Sequence, residues 1–340
     1  MEHENKLDVQ KALFDAISSQ LPPNRSLVDT LMDILEVSRD SVYRRLRGDT
    51  RIDFDEASKL AMHFSISLND IMHNKEDRIV FQRDRFIHSV EDLQQMLQNN
   101  LDTFTIIEQS SARKVYYLAK DIPFFHIYGF PELASFRMYV WLKSVYYIDK
   151  IDGKNFSMSD IPQSLVDLAS KIYRKYERIP VVEIWNETTP SSLLMQIDYY
   201  YEAGLFSSKE EALNICEQFR LMVRRIYKSA LNGYRVLENG TAVPNATFEM
   251  YINEILIMDN HILSEVNGNL RYFMPYGGVN YIVTADRSIC TDMKSYIDRQ
   301  LTKSSLISQV SEKERNRFFI RLGRQIEQLR EKIEKTNPFF

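Results

Sequence analysis

The sequence predicts a mainly helical α+β protein. A five-helix domain over residues 1–74 leads into a large helical region over 75–340, which carries a small antiparallel β-meander at about 247–285. Three observations point there. Apolar residues recur at helical spacing through most of the chain. Good cap residues open a run of short helical segments before residue 72. Near the C-terminus, Asn-Gly and Gly-Gly pairs separate short apolar runs, which is the pattern of hairpins. With 340 residues, 44% of them hydrophobic and 26% charged, the chain can bury a sizeable core in two or three domains.

Taken in order, Leu7–Ser19 reads as a helix with Leu13, Phe14, Ile17 and Leu21 on one face. Pro22 and Pro23 stop it, because a residue before proline is pushed out of the helical region. Ser26 caps a second helix, with Asp29 three residues on and Leu27, Leu31, Ile34 and Leu35 as its apolar face. Glu36 and Val37 make a turn, and Ser38 caps a third helix with Asp40 in its first turn. Val42 and Leu46, four apart, face inward, and Gly48 ends the helix. Asp53 with Glu56 is a capping box for a fourth helix, whose stripe is Phe54, Ala57, Leu60, Ala61 and Phe64. Ser67 with Asp70 opens a short fifth.

The stretch LMDILEVSRDSVYRRLRG, followed by DFDEASKLAMHFSISLNDI, resembles the Cro/repressor-type helix-turn-helix family over roughly residues 7–72. Val37, Ser38, Val42 and Gly48 stand where that pattern wants an apolar residue, a cap, a β-branched residue and a closing glycine. Two positions depart from it. Met32 replaces the small residue that allows close helix packing, and Glu36 replaces the glycine of the left-handed turn. The resemblance implies a transcriptional regulator that binds double-stranded DNA, with Ser38–Arg47 as the recognition helix lying in the major groove. The residues expected at DNA are Ser38, Arg39, Asp40, Ser41, Tyr43, Arg44, Arg45, Arg47 and Arg51. Charge agrees with that location. Residues 1–74 carry a net −4, yet Ser38–Arg51 is locally +3. One such module reads few base pairs, so a homodimer is expected.

Beyond a polar boundary at 73–77, Arg78–Asn99 has helical spacing of Phe81, Phe86, Ile87, Val90, Leu93 and Leu97 and reads as a connecting helix. Residues 115–148 are dense in aromatic side chains. These read as core, with a pocket for a planar effector as the sharper alternative. Ser164–Glu177 is amphipathic, and Val181–Trp185 is a short strand. Residues 189–232 form two helices closed by Gly204 and Gly233, and the run Tyr199–Tyr201 is too continuous to face one way. The meander is read from Phe248–Met258, His261–Val266, Leu270–Met274 and Val279–Thr284. Ile289, Met293, Ile297 and Leu301 line a further helix. In the last, about 311–334, Phe319, Leu322, Ile326, Leu329 and Ile333 form a seam that either docks on its own domain or pairs two subunits.

Other chemistry finds little support. There is no GxGxxG, P-loop or GxSxG, and no histidine pair at metal-binding helical spacing, so neither an enzyme nor a resident cofactor or metal is expected. Glu249, Glu254, Asp259 and His261 could converge on a metal, but hairpin charges are ordinarily a solvated face. Two distant cysteines, no signal pattern and no run of ~18 apolar residues point to the cytoplasm and away from the membrane. The rival readings are a protein-interaction factor using the same helices, and an enzyme with an accessory DNA-binding domain.

Overall fold

A computed structural model describes residues 9–21, 26–64, 66, 68, 71, 79–149, 151, 153–237, 240–254 and 259–336. The chain divides into two compact units, Met1–Ile79 and Val80–Phe340. The expected boundary at 74/75 and the short fifth helix at 67–70 fall on or among residues outside those described.

In the N-terminal unit, α1 (Val9–Gln20), α2 (Leu27–Leu35), α3 (Arg39–Leu46) and α4 (Phe54–Phe64) close around Leu13, Phe14, Ile17, Leu31, Leu35, Val42 and Leu60. The i, i+3, i+4, i+7 spacing turns one face of each helix inward. Ser26 Oγ accepts from the Asp29 N–H and Ser38 Oγ from the Ser41 N–H, both at 3.4 Å. Each bond satisfies one of the donors a helix start leaves open. Phe54 does not join the α4 stripe: it is 77% exposed, and Met62 on the same helix is 73% exposed.

The second unit is α+β, and its sheet differs from the expected meander. Nine strands form one mixed sheet: β1 (Gln82–Arg83), β2 (Arg113–Ala119), β3 (Val181–Trp185), β4 (Tyr234–Val236), β5 (Ala242–Ile252), β6 (His261–Val266), β7 (Asn269–Pro275), β8 (Tyr281–Thr284) and β9 (Ser305–Leu306). The order is β1-β8-β7-β6-β2-β3-β5-β4, with β9 on β5. β2, β3 and β5 run parallel, while β6, β7 and β8 continue the sheet antiparallel from β2. The strand read at Phe248–Met258 is therefore not the first arm of a meander. It is β5, separated from β6 by β2 and β3. Alternation along one strand reports which faces are buried, not which strand lies beside it. The turn at Asn267 and Gly268 joins β6 to β7 with φ 51° and 81°, the left-handed geometry that a two-residue hairpin requires.

Helices cover both faces. On one lie α5 (Val90–Gln109), α6 (Phe124–Ile127), α7 (Pro131–Val140), α8 (Gln163–Tyr176), α9 (Ser191–Glu202), α10 (Lys209–Asn232) and α12 (Glu312–Lys335); on the other lies α11 (Arg287–Thr302). All five residues of β3 are buried, because both faces of this central strand are covered. The expected connecting helix is shorter than its spacing suggested. Ser89 caps it at Val90, and residues 79–89 are an extended strap that carries β1. The aromatic block is core: Tyr117, Phe125, Tyr128, Phe136, Tyr139 and Trp141 are buried. Of the three consecutive tyrosines, Tyr200 and Tyr201 are buried and Tyr199 is exposed. The α12 seam docks on its own unit, with Phe319 edge-on to Tyr227 at 5.2 Å and the Ile333 carbonyl accepting from Tyr201 Oη at 2.9 Å. Neither surface read as a dimer contact, the seam nor the aromatic block, is therefore left open as expected: both are used inside the chain.

Candidate nucleic-acid interface

α3 is held by its ends and its inner face. Val42 is fully buried, and Leu46 packs half-buried on the same core. Glu36, closing α2, takes φ 56° and ψ 41°, the left-handed conformation for which a Cβ is unfavourable. Gly48 follows α3 at φ 81°, and the Arg44 carbonyl accepts from the Asp49 N–H at 2.9 Å.

The expected contact residues are not equivalent. Ser38, Arg39, Asp40, Tyr43, Arg44, Arg47 and Arg51 are exposed, and Ser41 is half-buried. Arg39 pairs with Asp29 of α2, and Arg47 with Asp49 at 2.9 Å. Both pairs lie more than half open to solvent, where such contacts are weak and readily exchanged for a phosphate. Among the described residues Arg44 has no side-chain hydrogen bond or ion pair. Arg45 differs from its neighbour. Its Nη2 and Nε donate to Glu56 at 2.6 and 3.1 Å, and Nη1 donates to Ser41 Oγ at 2.5 Å. The two side chains are only 13% and 17% exposed. Glu56 also accepts from the Asp53 N–H at 3.4 Å, so one carboxylate joins the start of α4 to α3.

Gln10 escaped the sequence reading. Buried on α1, it donates from Nε2 to the Arg45 carbonyl at 2.7 Å and the Thr50 carbonyl at 3.0 Å, while Oε1 accepts from the Ile52 N–H at 2.9 Å. It thereby fixes the chain as it leaves α3. A signal was present: Gln10 lies on the stripe of Leu13, Phe14 and Ile17, where a polar residue must be satisfied.

The other concentration of charge is in the second unit. Glu183 of β3 is fully buried, and its carboxylate accepts from His126 Nε2 (2.8 Å), Tyr176 Oη (2.6 Å), Trp185 Nε1 (2.8 Å) and Arg235 Nη2 (3.2 Å). Burial alone would raise its pKa. The His126 bond, the Arg235 charge and the Tyr176 bond overcome this and hold the carboxyl below its ordinary range. Burial lowers the His126 pKa, so the neutral ring donates Nε2–H at neutral pH. Arg235 also lies over the Phe248 ring at 4.2 Å. The cavity beside His126 and Arg235 measures about 10 Å³, room for roughly one water and no substrate. The cluster ties the central strand to the helical layer. A charged residue inside the apolar run VVEIW was its trace in the sequence.

Among the described residues no group of three or more His, Cys, Asp or Glu side chains is placed to hold a metal ion. The four residues weighed for one are separated: Glu249 pairs with Lys114 on β2 at 2.9 Å, while His261 bonds Tyr272 Oη at 2.8 Å. No described helix is long and apolar enough to cross a membrane. Comparison of the chain with protein-family models, with curated proteins and with solved structures found no match.

Proposed function

We propose that the protein is a sequence-specific DNA-binding transcriptional regulator of the cytoplasm. In this reading α3 enters the major groove, and the second unit serves sensing and assembly. The observation that carries it is the sorting of the arginines on α3. Val42 and Leu46 hold the helix down, Arg45 is engaged with Glu56, and Arg44 is left unpaired beside Tyr43 and the openly paired Arg39 and Arg47. Arg44, with Arg39, is suited to bidentate contact with guanine, while Ser38, Ser41, Arg47 and Arg51 are suited to phosphates. Asp40 and Tyr43 would contribute to choice of base. Arg45 acts by positioning. The test is selection of bound sequences from random double-stranded DNA. A recovered motif with two-fold related half-sites supports both DNA reading and pairing; recovery of no motif at low salt refutes the reading.

A second reading has its own observation. Phe54 and Met62 present an apolar patch on α4 that no described core covers. A protein-interaction factor would use such a patch, and so would the homodimer proposed for a two-fold site. Light scattering of the full chain separates the two, since only the homodimer needs no other protein.

A further inference from the structure

The strap that opens the second unit is pinned at two points and leaves a cleft between them. At one end Thr284 Oγ1 donates to the Val80 carbonyl at 2.8 Å, and β1 pairs with β8 through Gln82 and Val283. At the other, Phe86 lies against Gly277, where an added Cβ would come within 2.5 Å of its ring, and edge-on to Tyr146 at 5.6 Å. Gly277 has φ 60°, so the turn needs glycine both for its backbone and for the room. Between the pins, the strap, α5 and the β7–β8 hairpin enclose about 270 Å³. That is near the lower end of small-molecule sites, the size of a single-ring metabolite and not of a dinucleotide.

The lining is divided by chemistry. Phe273, Val279, Tyr281 and Val283 of the sheet and Met96 of α5 supply an apolar bed. Arg83 on the strap and Arg271 on β7 stand at the rim, and among the described residues neither has an ion-pair or hydrogen-bond partner. Two guanidinium groups around one small cleft favour an anion, and their planar forks match a carboxylate. α5 adds Asn99, Asn100 and Thr103. Asn99 donates to Asp84 at 2.9 Å, while Asn100 donates only to the thioether of Met96 at 3.2 Å, a weak acceptor. Hydrogen-bonding capacity thus lines the helix wall opposite the apolar bed.

We propose that this cleft binds a small carboxylate with an aromatic or branched apolar body. The carboxylate lies between Arg83 and Arg271, and the body rests on Phe273 and Tyr281. A ligand held there bridges the strap to the hairpin and to α5, and so fastens the segment that follows the DNA-binding unit in the chain. Its role as an effector rests on the DNA-binding reading above; its binding does not.

The test is calorimetric titration of the full-length protein, without DNA, against phenylacetate, L-phenylalanine and L-leucine. Phenethylamine (the same body without the carboxylate) and inorganic phosphate serve as comparisons. At least one carboxylate is expected to bind with Kd of ~1 mM or tighter. Arg83→Gln and Arg271→Gln should each weaken it by about tenfold or more at unchanged melting temperature. Thr103→Trp should fill the cleft and abolish binding with both arginines present. Hydrogen exchange at the Gln82 and Arg83 amides should slow in the complex. The proposal is overturned if none of the three carboxylates binds, if phenethylamine or phosphate binds in their place, or if binding survives the arginine and Thr103 variants. Loss of DNA binding with carboxylate binding intact would remove the effector role and leave the site.

Discussion

Arg44 and Arg45 are adjacent, carry the same charge and should fail in opposite ways. Arg45→Ala removes a two-bond contact to a partly buried carboxylate, together with a bond to Ser41. Hydrogen bonds to charged groups contribute about 1.5–3 kcal/mol when buried. Glu56 retains the Asp53 N–H and some access to water, so the lower part of that range applies, about 1.5–2 kcal/mol. For a unit of this size that lowers its melting temperature by roughly 6–16 °C. Arg44→Ala removes no internal contact and should change stability by less than about 0.5 kcal/mol. Its loss should fall on DNA, at about 1–3 kcal/mol if the side chain reads a base, or roughly 5- to 150-fold in affinity. Calorimetric melting of the full chain gives the first quantity. Anisotropy titration of a selected duplex at fixed salt, well below the melting transition, gives the second. A Glu56→Gln partner variant completes a cycle, in which the two losses should not add. If Arg44→Ala binds like the parent, or if Arg45→Ala melts like it, the division of roles argued from the geometry is wrong.

The other expectations are more local. Glu36→Gly should stabilise the N-terminal unit by up to about 1 kcal/mol, because the left-handed backbone is already in place and only the Cβ opposes it; a lower melting temperature would contradict this. Gln10→Leu should destabilise the same unit by about 1–3 kcal/mol, since it strands the Arg45 and Thr50 carbonyls and the Ile52 N–H; unchanged melting would show that water replaces the amide. Glu183→Gln should cost the second unit about 3–5 kcal/mol by leaving Arg235 buried without its counter-charge. The folded carboxyl has a depressed pKa, so its stabilisation is present above 4.5 and is lost as pH falls through the folded value; an unchanged acid limb of the melting profile in Glu183→Gln would count against the charged pair. Phe54→Ser combined with Met62→Ser should turn a full-length dimer into a monomer in light scattering, and a dimer that persists would move the interface off α4.

Local rules determined much of the N-terminal unit. Cap residues, apolar spacing and the glycine after α3 act over three or four residues, so Ser26, Ser38, Val42 and Gly48 could be placed without knowing their distant neighbours. The same rules could not separate Arg44 from Arg45, because what distinguishes them is Glu56, eleven residues beyond Arg45 on another helix. Nor could they mark Gln10, whose partners lie 35 to 42 residues away. In the second unit the sequence determined that Val181–Trp185 is extended and apolar, and that Asn267-Gly268 turns. Only the tertiary structure decided that β5 lies beside β3 and not β6, because a strand's side-chain pattern is the same whichever neighbour completes its hydrogen bonds. Likewise a seam of Phe319, Leu322, Ile326, Leu329 and Ile333 requires an apolar partner without naming it. Here that partner is the chain's own helical layer, which offered the closest surface of matching shape and left none of the five exposed.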